Sequence, residues 1–414
     1  MNMKKLYDIY CASRGVVTDS RKVREGELFF ALRGENFDGN DYAAKALEMG
    51  AVAAVVDRAE VAVDERYVVV DDTLSALQDL ARYHRQRLSI PVVAITGTNG
   101  KTTTKELVAA VLSEGYRTYF TQGNLNNHIG VPLTILSIPH DAQVAIVEMG
   151  ASAQGEIALL CSIAQPTYGL VTNVGRAHLE GFGGEEGVRK GKGELYDYLA
   201  STAGVALYRT DDRVLSAMVA ERRGLQVKGY SSGLAEGVRS NLVGDYNHFN
   251  IAAALAVAEL FGIGREVAER AIGEYVPTNN RSQMLTTERA LLTVDCYNAN
   301  PSSMAVAIAN HAATNHADYP AKVLILGDML ELGEWSRSEH QRVLDSALAS
   351  DAQRVLVVGS CFAEVAAERS SDRLVSFASA DSLAQWLGEH PLERAFVLVK
   401  GSRGVGLERV LGAL

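Results

Sequence analysis

The chain has 414 residues, 47% of them hydrophobic and 22% charged, the balance of a soluble globular protein of two to four domains. A net charge of −10 argues against nucleic acid as a partner, so an anionic substrate must meet local basic pockets. No stretch approaches the roughly 20 apolar residues of a membrane span, no signal-peptide core is present, and Cys11, Cys161, Cys296 and Cys361 lack metal or redox spacing, which together fit a reduced, cytoplasmic setting.

In chain order, residues 1–88 form a first block with strand-like segments at Leu28–Leu32, Ala51–Val56 and Tyr67–Val70. Helical patterns cover Asp41–Met49 and Thr73–Leu88, and Ser89-Ile90-Pro91 reads as a linker. A second block, 89–280, alternates strands (Val92–Thr96, Thr118–Thr121, Val144–Met149, Gly169–Asn173, Val205–Tyr208) with helices (Thr102–Ser113, Gly155–Ile163, Glu185–Leu199, Asn247–Phe261). That alternation predicts a parallel sheet covered on both faces, with ligands at the carboxyl ends of its strands. A third block, 281–414, repeats the pattern with strands at Leu291–Asp295, Lys322–Leu326, Arg354–Val358 and Phe396–Val399, and reads as a Rossmann-like domain without a dinucleotide fingerprint.

The most informative stretch is VVAITGTNGKTTTKEL, residues 92–107. A buried strand breaks into Gly97-Thr98-Asn99-Gly100, then Lys101-Thr102-Thr103 and a helix. Glycines let backbone N–H groups face an anion, the helix start adds positive potential, and lysine adds a mobile charge. The threonine after the lysine can hold Mg²⁺. The spacing is G-x-x-G-K-T, shorter than the common G-x-x-x-x-G-K-[ST], and the competing reading is an ordinary strand-to-helix turn.

Other candidates lie at strand ends and helix starts. Glu148 ends an apolar strand and is placed to hold Mg²⁺, or is a solvated strand-end carboxylate. Asn124, Asn126 and Asn127 can bond sugar or phosphate, or form a polar turn that caps a helix. His178 sits on a strand-following loop, and Lys190 and Lys192 follow on a helix. Asn247 and Asn250 open a long apolar helix, where capping is favoured over contact with a base. Asp295 ends the first strand of the third block, where a carboxylate can bond a ribose hydroxyl. Lys400 and Arg403 follow its last strand and can bind an anion, or stay at the surface.

These motifs in this order resemble the Mur ligases, the ATP-dependent amide ligases of peptidoglycan precursor synthesis. The resemblance covers nearly the whole chain: TDSRKVREGELFFALRGENFDG, ITGTNGKTTTKEL, NLNNHIGVPLTIL, VEMGASAQGEI, AHLEGFGGEEGVRKGKGELY, GDYNHFN, DCYNANPSSM, ILGDMLELG and LVKGSR. The family's ATP motif has the same short spacing. NLNNHIG, HLEGFG and YNANP resemble the branch that adds D-alanyl-D-alanine to UDP-N-acetylmuramoyl-tripeptide, and a D-N-P-R-like motif of the diaminopimelate- or lysine-adding branch is absent.

The resemblance implies three α/β domains: a small UDP-substrate domain (1–88), a P-loop-type ATP-binding domain (89–280) and a Rossmann-like domain that closes on nucleotide and takes the amine (281–414). It implies that Lys101 meets the β/γ-phosphates, Thr102 a magnesium ion, and Glu148 and His178 a second one. Lys192 matches a position that is carbamylated in several members. Asn247 and Asn250 match adenine contacts, Arg281 a nucleotide contact and Asp295 a ribose contact. Thr18, Asp19, Ser20 and Arg21 fall in the UDP region; Asn124, Asn126, Asn127, Tyr297, Asn298, Asn300, Lys400 and Arg403 fall on the substrate side. ATP and Mg²⁺ are the implied cofactors, and the implied enzyme is a cytoplasmic monomer.

The implied chemistry is activation of a peptide carboxylate as an acyl phosphate, followed by attack of an amine. A related ligase with another amine, such as a folylpolyglutamate-type ligase, and a nucleotide-dependent binding switch are the alternatives. Three positions depart from the family pattern. Tyr246 replaces a frequent histidine, Cys296 a frequent serine, and the segment from Lys228 to Gly244 is too short for the extra strands relatives carry there.

Overall fold

Apolar β-branched runs separated by amphipathic helices leave one stable arrangement, a parallel sheet with both faces covered. A computed structural model of the chain describes residues 2–242, 244, 246–277 and 283–414, and it builds that arrangement three times. The first sheet has four parallel strands, ordered Val16–Val17, Leu28–Phe30, Ala53–Val56, Tyr67–Val69. The helix Thr73–Arg85 covers its inner face. Asp72 caps that helix by accepting a hydrogen bond from Ser75 N at 2.6 Å.

The central sheet has six parallel strands. Their order is Gln226–Tyr230, Val205–Arg209, Tyr168–Val171, Val92–Thr96, Val144–Glu148, Thr118–Phe120. From Val92–Thr96 the chain moves first toward one edge and then crosses back to the other. The phosphate-loop strand therefore stands at the topological switch point, where such sheets bind ligands. Its five residues are all buried, Val92, Val93 and Ile95 each contributing about 1.5–3 kcal/mol relative to exposure.

One core joins the inner face of the first sheet, the helix Thr73–Arg85 and one face of the central sheet, from Leu6 and Leu77 to Val147 and Leu195. The first two sheets thus share apolar packing. The opposite central face is covered by Lys101–Ser113, Asn247–Leu260 and Arg265–Glu274. The third sheet runs Gln283–Thr286, Ala290–Asp295, Ala395–Lys400, Ala321–Gly327, Arg354–Val358, Leu374–Phe377, with the first strand antiparallel to its neighbour.

The strands Val92–Thr96 and Arg354–Val358 match expectation residue for residue, and the other expected strands and helices differ at their ends. Structure beyond the expected elements includes the helices Met3–Ala12, Gly130–Leu136 and Arg213–Ala220 and the strands Gln226–Tyr230 and Leu374–Phe377. Those strands are short sheet-edge pieces with exposed residues, so their apolar signal is weak. In the shortened stretch after Lys228 the described residues form a single turn of 3₁₀ helix, Ser232–Ala235, before Asn247–Leu260 begins.

Candidate active site

The phosphate loop is shaped by two glycines that no other residue can replace without movement. Gly97 has φ +142°, and a Cβ there would lie 2.0 Å from Thr172 Oγ1. Gly100 has φ +79°, and a Cβ would lie 2.5 Å from Asn250 Oδ1. The next strand end holds the loop from one side. Thr98 N donates to Asn173 O at 3.0 Å, Asn99 N to Asn173 Oδ1 at 3.0 Å, and Thr172 Oγ1 to Asn99 O at 2.6 Å. Lys101 Nζ folds back and donates to the carbonyls of Gly97 and Thr98 at 2.8 and 2.9 Å.

Glu148 is buried at the end of the neighbouring strand. Its Oε1 accepts from Thr102 Oγ1 at 3.1 Å and from Asn126 Nδ2 at 2.8 Å. Its Oε2 is buried without a hydrogen-bond donor among the described residues, and its nearest cation is the equally buried Lys105, whose Nζ lies 3.8 Å away. Glu148 is therefore not a solvated strand end. The amide-rich turn serves two purposes at once: Asn126 orients Glu148, while Asn127 Oδ1 accepts from Ile129 N and Gly130 N at the start of the next helix.

The Asn247/Asn250 pair corrects the capping expectation. The residue before the helix is Tyr246, and no side chain among the described residues caps it. Asn250 Nδ2 instead donates to Asn247 Oδ1 at 2.8 Å, and Asn250 Oδ1 accepts from Thr104 Oγ1 at 3.0 Å, directly beneath Gly100. The pair ties this helix to the phosphate-loop helix.

Lys192 is buried in the helix Glu185–Thr202, donating to Ala151 O at 3.3 Å, with Nζ 5.1 Å from the Phe182 ring centroid. Burial, and then the charge of Lys101, hold its amine well below the usual lysine range. His178 has a left-handed backbone, and its Nδ1 pairs with the carboxylate of Glu331 from the third domain. That close contact with the imidazole holds the Glu331 carboxyl below its ordinary value.

The third domain presents its strand ends to this region. Asp295 and Lys400 are register partners on adjacent strands, and Lys400 Nζ donates to Asp295 Oδ2 at 2.5 Å and to Asn298 O at 3.3 Å. Lys400 is buried and paired with Asp295, so it meets the cleft with its charge already shared. Arg403 lies over the Tyr297 ring, 5.4 Å from its centroid. Asn300 caps the helix Pro301–Ala313 and reaches Asn99. Arg176 N donates to Ser302 Oγ at 2.8 Å, and its guanidinium approaches Glu339 at 3.4 Å.

Between the central and third domains lies a cleft of about 770 Å³. Of the expected site residues it is lined by Thr98, Asn99, Gly100, Lys101, Thr103, Asn124, Asn126, Asn127, Glu148, His178, Asn250, Asp295, Tyr297, Asn298, Lys400 and Arg403. Gly97, Thr102, Lys192, Asn247 and Asn300 sit behind this surface. Thr18, Asp19, Ser20 and Arg21 lie apart from the cleft at the carboxyl end of Val16–Val17, where Arg21 holds the Asp19 carboxyl at about 2. Arg281 lies outside the described residues.

Sequence reasoning missed Lys105, Glu331, and the cleft-lining pair Arg209 and Phe249, in which the guanidinium stacks 3.8 Å from the ring centroid. None belongs to a local pattern that a phosphate loop predicts; each is brought in by tertiary packing. Elsewhere, Asp328, His340 and Cys361 cluster with metal-like spacing, but the donors of Asp328 and His340 are committed. Asp328 accepts from Cys361 N and Phe362 N, and His340 Nε2 accepts from Met329 N while Nδ1 donates to Ser336 O.

The chain matches three family models: the Mur ligase family catalytic domain over residues 13–85, the Mur ligase middle domain over 95–237 and the Mur ligase glutamate ligase domain over 280–403. It is 35% identical to the UDP-N-acetylmuramoyl-tripeptide–D-alanyl-D-alanine ligase of Bacillus subtilis, covering 96% of this chain and 92% of that one. The Escherichia coli ligase of the same name is also 35% identical, with 96% and 93% covered. Among solved structures, MurF from Acinetobacter baumannii superposes with a TM-score of 0.87 at 29% identity, covering 99% and 98% of the two chains. MurF from Thermotoga maritima in complex with ADP gives 0.83 at 28% identity, covering 98% and 97%. Taken with the three α/β domains and the phosphate loop at their central switch point, this similarity along the full chain shows that the protein belongs to the Mur ligase family, in the branch of the UDP-N-acetylmuramoyl-tripeptide–D-alanyl-D-alanine ligases.

Proposed function

We propose that this protein is an ATP-dependent ligase that joins D-alanyl-D-alanine to the terminal carboxylate of UDP-N-acetylmuramoyl-tripeptide in peptidoglycan precursor synthesis. The observation that carries the reading is the convergence of Lys101, Glu148 and His178 on one cleft that the third domain closes. We assign residues 1–88 to the UDP-substrate, 89–280 to ATP, and 281–414 to the amine and to closure.

The reaction needs a carboxylate made electrophilic. Its oxygen attacks the γ-phosphorus, ADP leaves, and an acyl phosphate forms. The dipeptide's free amine then attacks the acyl carbon, and the tetrahedral adduct expels phosphate. Lys101 exchanges the carbonyls of Gly97 and Thr98 for phosphate oxygens, and the loop N–H groups from Gly97 to Thr103 face the same charge. Asn247 and Asn250 set the nucleotide side, with Asp295 on the ribose and Arg281 as a further nucleotide contact. Asn124, Asn126, Asn127, Tyr297, Asn298, Asn300, Lys400 and Arg403 form the substrate side, with Thr18 to Arg21 on the UDP group.

The residues present fit a hard divalent cation. Glu148, whose buried Oε2 has no hydrogen-bond donor among the described residues, and the His178 imidazole are assigned to one ion, and the Thr102 hydroxyl to another. Bound there, Mg²⁺ supplies neutralisation of phosphate charge. Lys192, with its amine held toward the neutral form, is the position to examine for carbamylation.

The test is phosphate release by purified protein with ATP, Mg²⁺ and the UDP-muramoyl-tripeptide, adding amines one at a time. D-alanyl-D-alanine must accelerate release, and single amino acids must not. Release that ignores the amine would sink the reading in favour of a nucleotide switch.

A further inference from the structure

Among the described residues, five non-glycine residues have a positive φ: Gln165, His178, Ala203, Glu331 and Arg394. Gln165 and Ala203 end helices, where a left-handed residue is ordinary. His178 and Glu331 do not end helices, and they touch each other. Two chain segments from different domains each adopt an uncommon backbone conformation, and the side chains so presented meet at His178 Nδ1. Both line the cleft.

The surroundings hold this encounter in place. Glu331 lies on the loop after the strand Ala321–Gly327, and Gly333 of that loop packs on Glu180, leaving only 2.9 Å for a Cβ. The segment bearing His178 is also gripped by Ser302 through Arg176 N and by Glu339 through the Arg176 guanidinium. Those two contacts also join the domains, and neither touches an imidazole.

We propose that Glu331 is a positioning residue of the ligase reaction, contributed by the third domain, which fixes the tautomer and orientation of His178. A carboxylate at Nδ1 retains the proton on that nitrogen and leaves the lone pair on Nε2, the form in which an imidazole can ligate a metal. Docking of the third domain then completes a metal ligand that belongs to the central domain. The inference rests on the metal role assigned to His178 above.

Two measurements on the full chain decide it. In histidine-¹⁵N-labelled protein at about pH 8.5, some two units above the ordinary imidazole pKa, the His178 ring is expected as the Nδ1–H tautomer, its signals assigned by their loss in His178→Gln. Glu331→Ala should give a tautomer mixture, and Glu331→Gln, whose amide oxygen still accepts, should restore the single form. Mn²⁺ binding with ADP present, read by electron paramagnetic resonance, should weaken 10- to 100-fold in Glu331→Ala and less than threefold in Glu339→Gln. An unchanged tautomer in Glu331→Ala would overturn the proposal, as would equal weakening in Glu339→Gln, which would reduce Glu331 to a domain clasp. If the unsubstituted protein binds no Mn²⁺, the metal reading of the site fails, and the tautomer result still decides what Glu331 does.

Discussion

Asn99 at the tip of the phosphate loop and Asn300 of the third domain hold each other through reciprocal amide hydrogen bonds. Asn300 Nδ2 donates to Asn99 Oδ1 at 2.8 Å, and Asn99 Nδ2 donates to Asn300 Oδ1 at 3.4 Å. Asn300 Oδ1 also accepts from Ser303 N at 2.9 Å as the helix cap. One side chain thus starts a helix and touches the loop that is assigned to ATP.

The two duties of Asn300 separate by substitution. Asn300→Asp keeps the cap oxygen and loses the donor to Asn99, so its stability should stay within about 0.5 kcal/mol while ligase turnover falls about tenfold. Asn300→Ala should lose both turnover and about 1 kcal/mol. Urea denaturation beside steady-state rates checks the split; equal stability loss in both variants counts against it.

Lys101 bonds two loop carbonyls at 2.8 and 2.9 Å without supporting the core. Lys101→Ala should cut amine-dependent phosphate release by at least about 10²-fold, close to 2.7 kcal/mol of transition-state stabilisation. Its thermal unfolding midpoint should stay near that of the unsubstituted protein. A variant that keeps more than a tenth of the rate is incompatible with the assigned role.

Lys105 and Glu148 are each 1% exposed and form an ion pair at 3.8 Å. Removing Lys105 leaves the buried Glu148 carboxylate uncompensated, so Lys105→Met should destabilise by roughly 3–5 kcal/mol, whereas Glu148→Gln leaves Lys105 paired with Glu106 at 3.7 Å and should cost less. The double variant should lose clearly less than the sum. Additive losses in a denaturation cycle would show that the two side chains do not interact.

Lys192 gives a pH signature. Its folded-state pKa lies well below 10.5, so between those two values the unfolded chain binds one more proton than the native one. Stability therefore rises with pH across that window. Lys192→Met should remove the burial penalty, stabilising the protein most at pH 7 and progressively less as pH approaches 10.5, while turnover is lost. Denaturation midpoints of both proteins at pH 7 and 10 test this; a gain that grows with pH contradicts it.

Much of the scaffold was legible because its signals are local. The strand Val92–Thr96 is five buried residues followed by glycine, and no tertiary context is needed to find it. The order of motifs along the chain carried the family. What stayed hidden depends on convergence. Lys105 lies one helical turn after Lys101 and no motif marks it, yet it is buried against Glu148. Asn250 reads as a helix cap until its carbonyl oxygen is found beneath Gly100. Glu331 is remote in sequence from His178, and its meaning exists only once two domains meet.

The bonds from Thr104 to Asn250 and from Asn250 to Asn247 have one more consequence. They fix the helix Asn247–Leu260 from its own side chains, so the length of chain leading into it carries no positional information. Changing the length of that stretch should therefore leave the contact of Asn250 with Gly100 undisturbed. The stretch also marks a place for engineering. Gly237 is exposed, has φ +74° and has no neighbour that a Cβ would meet, so a reporter peptide spliced in after it should leave ligation running at its native rate.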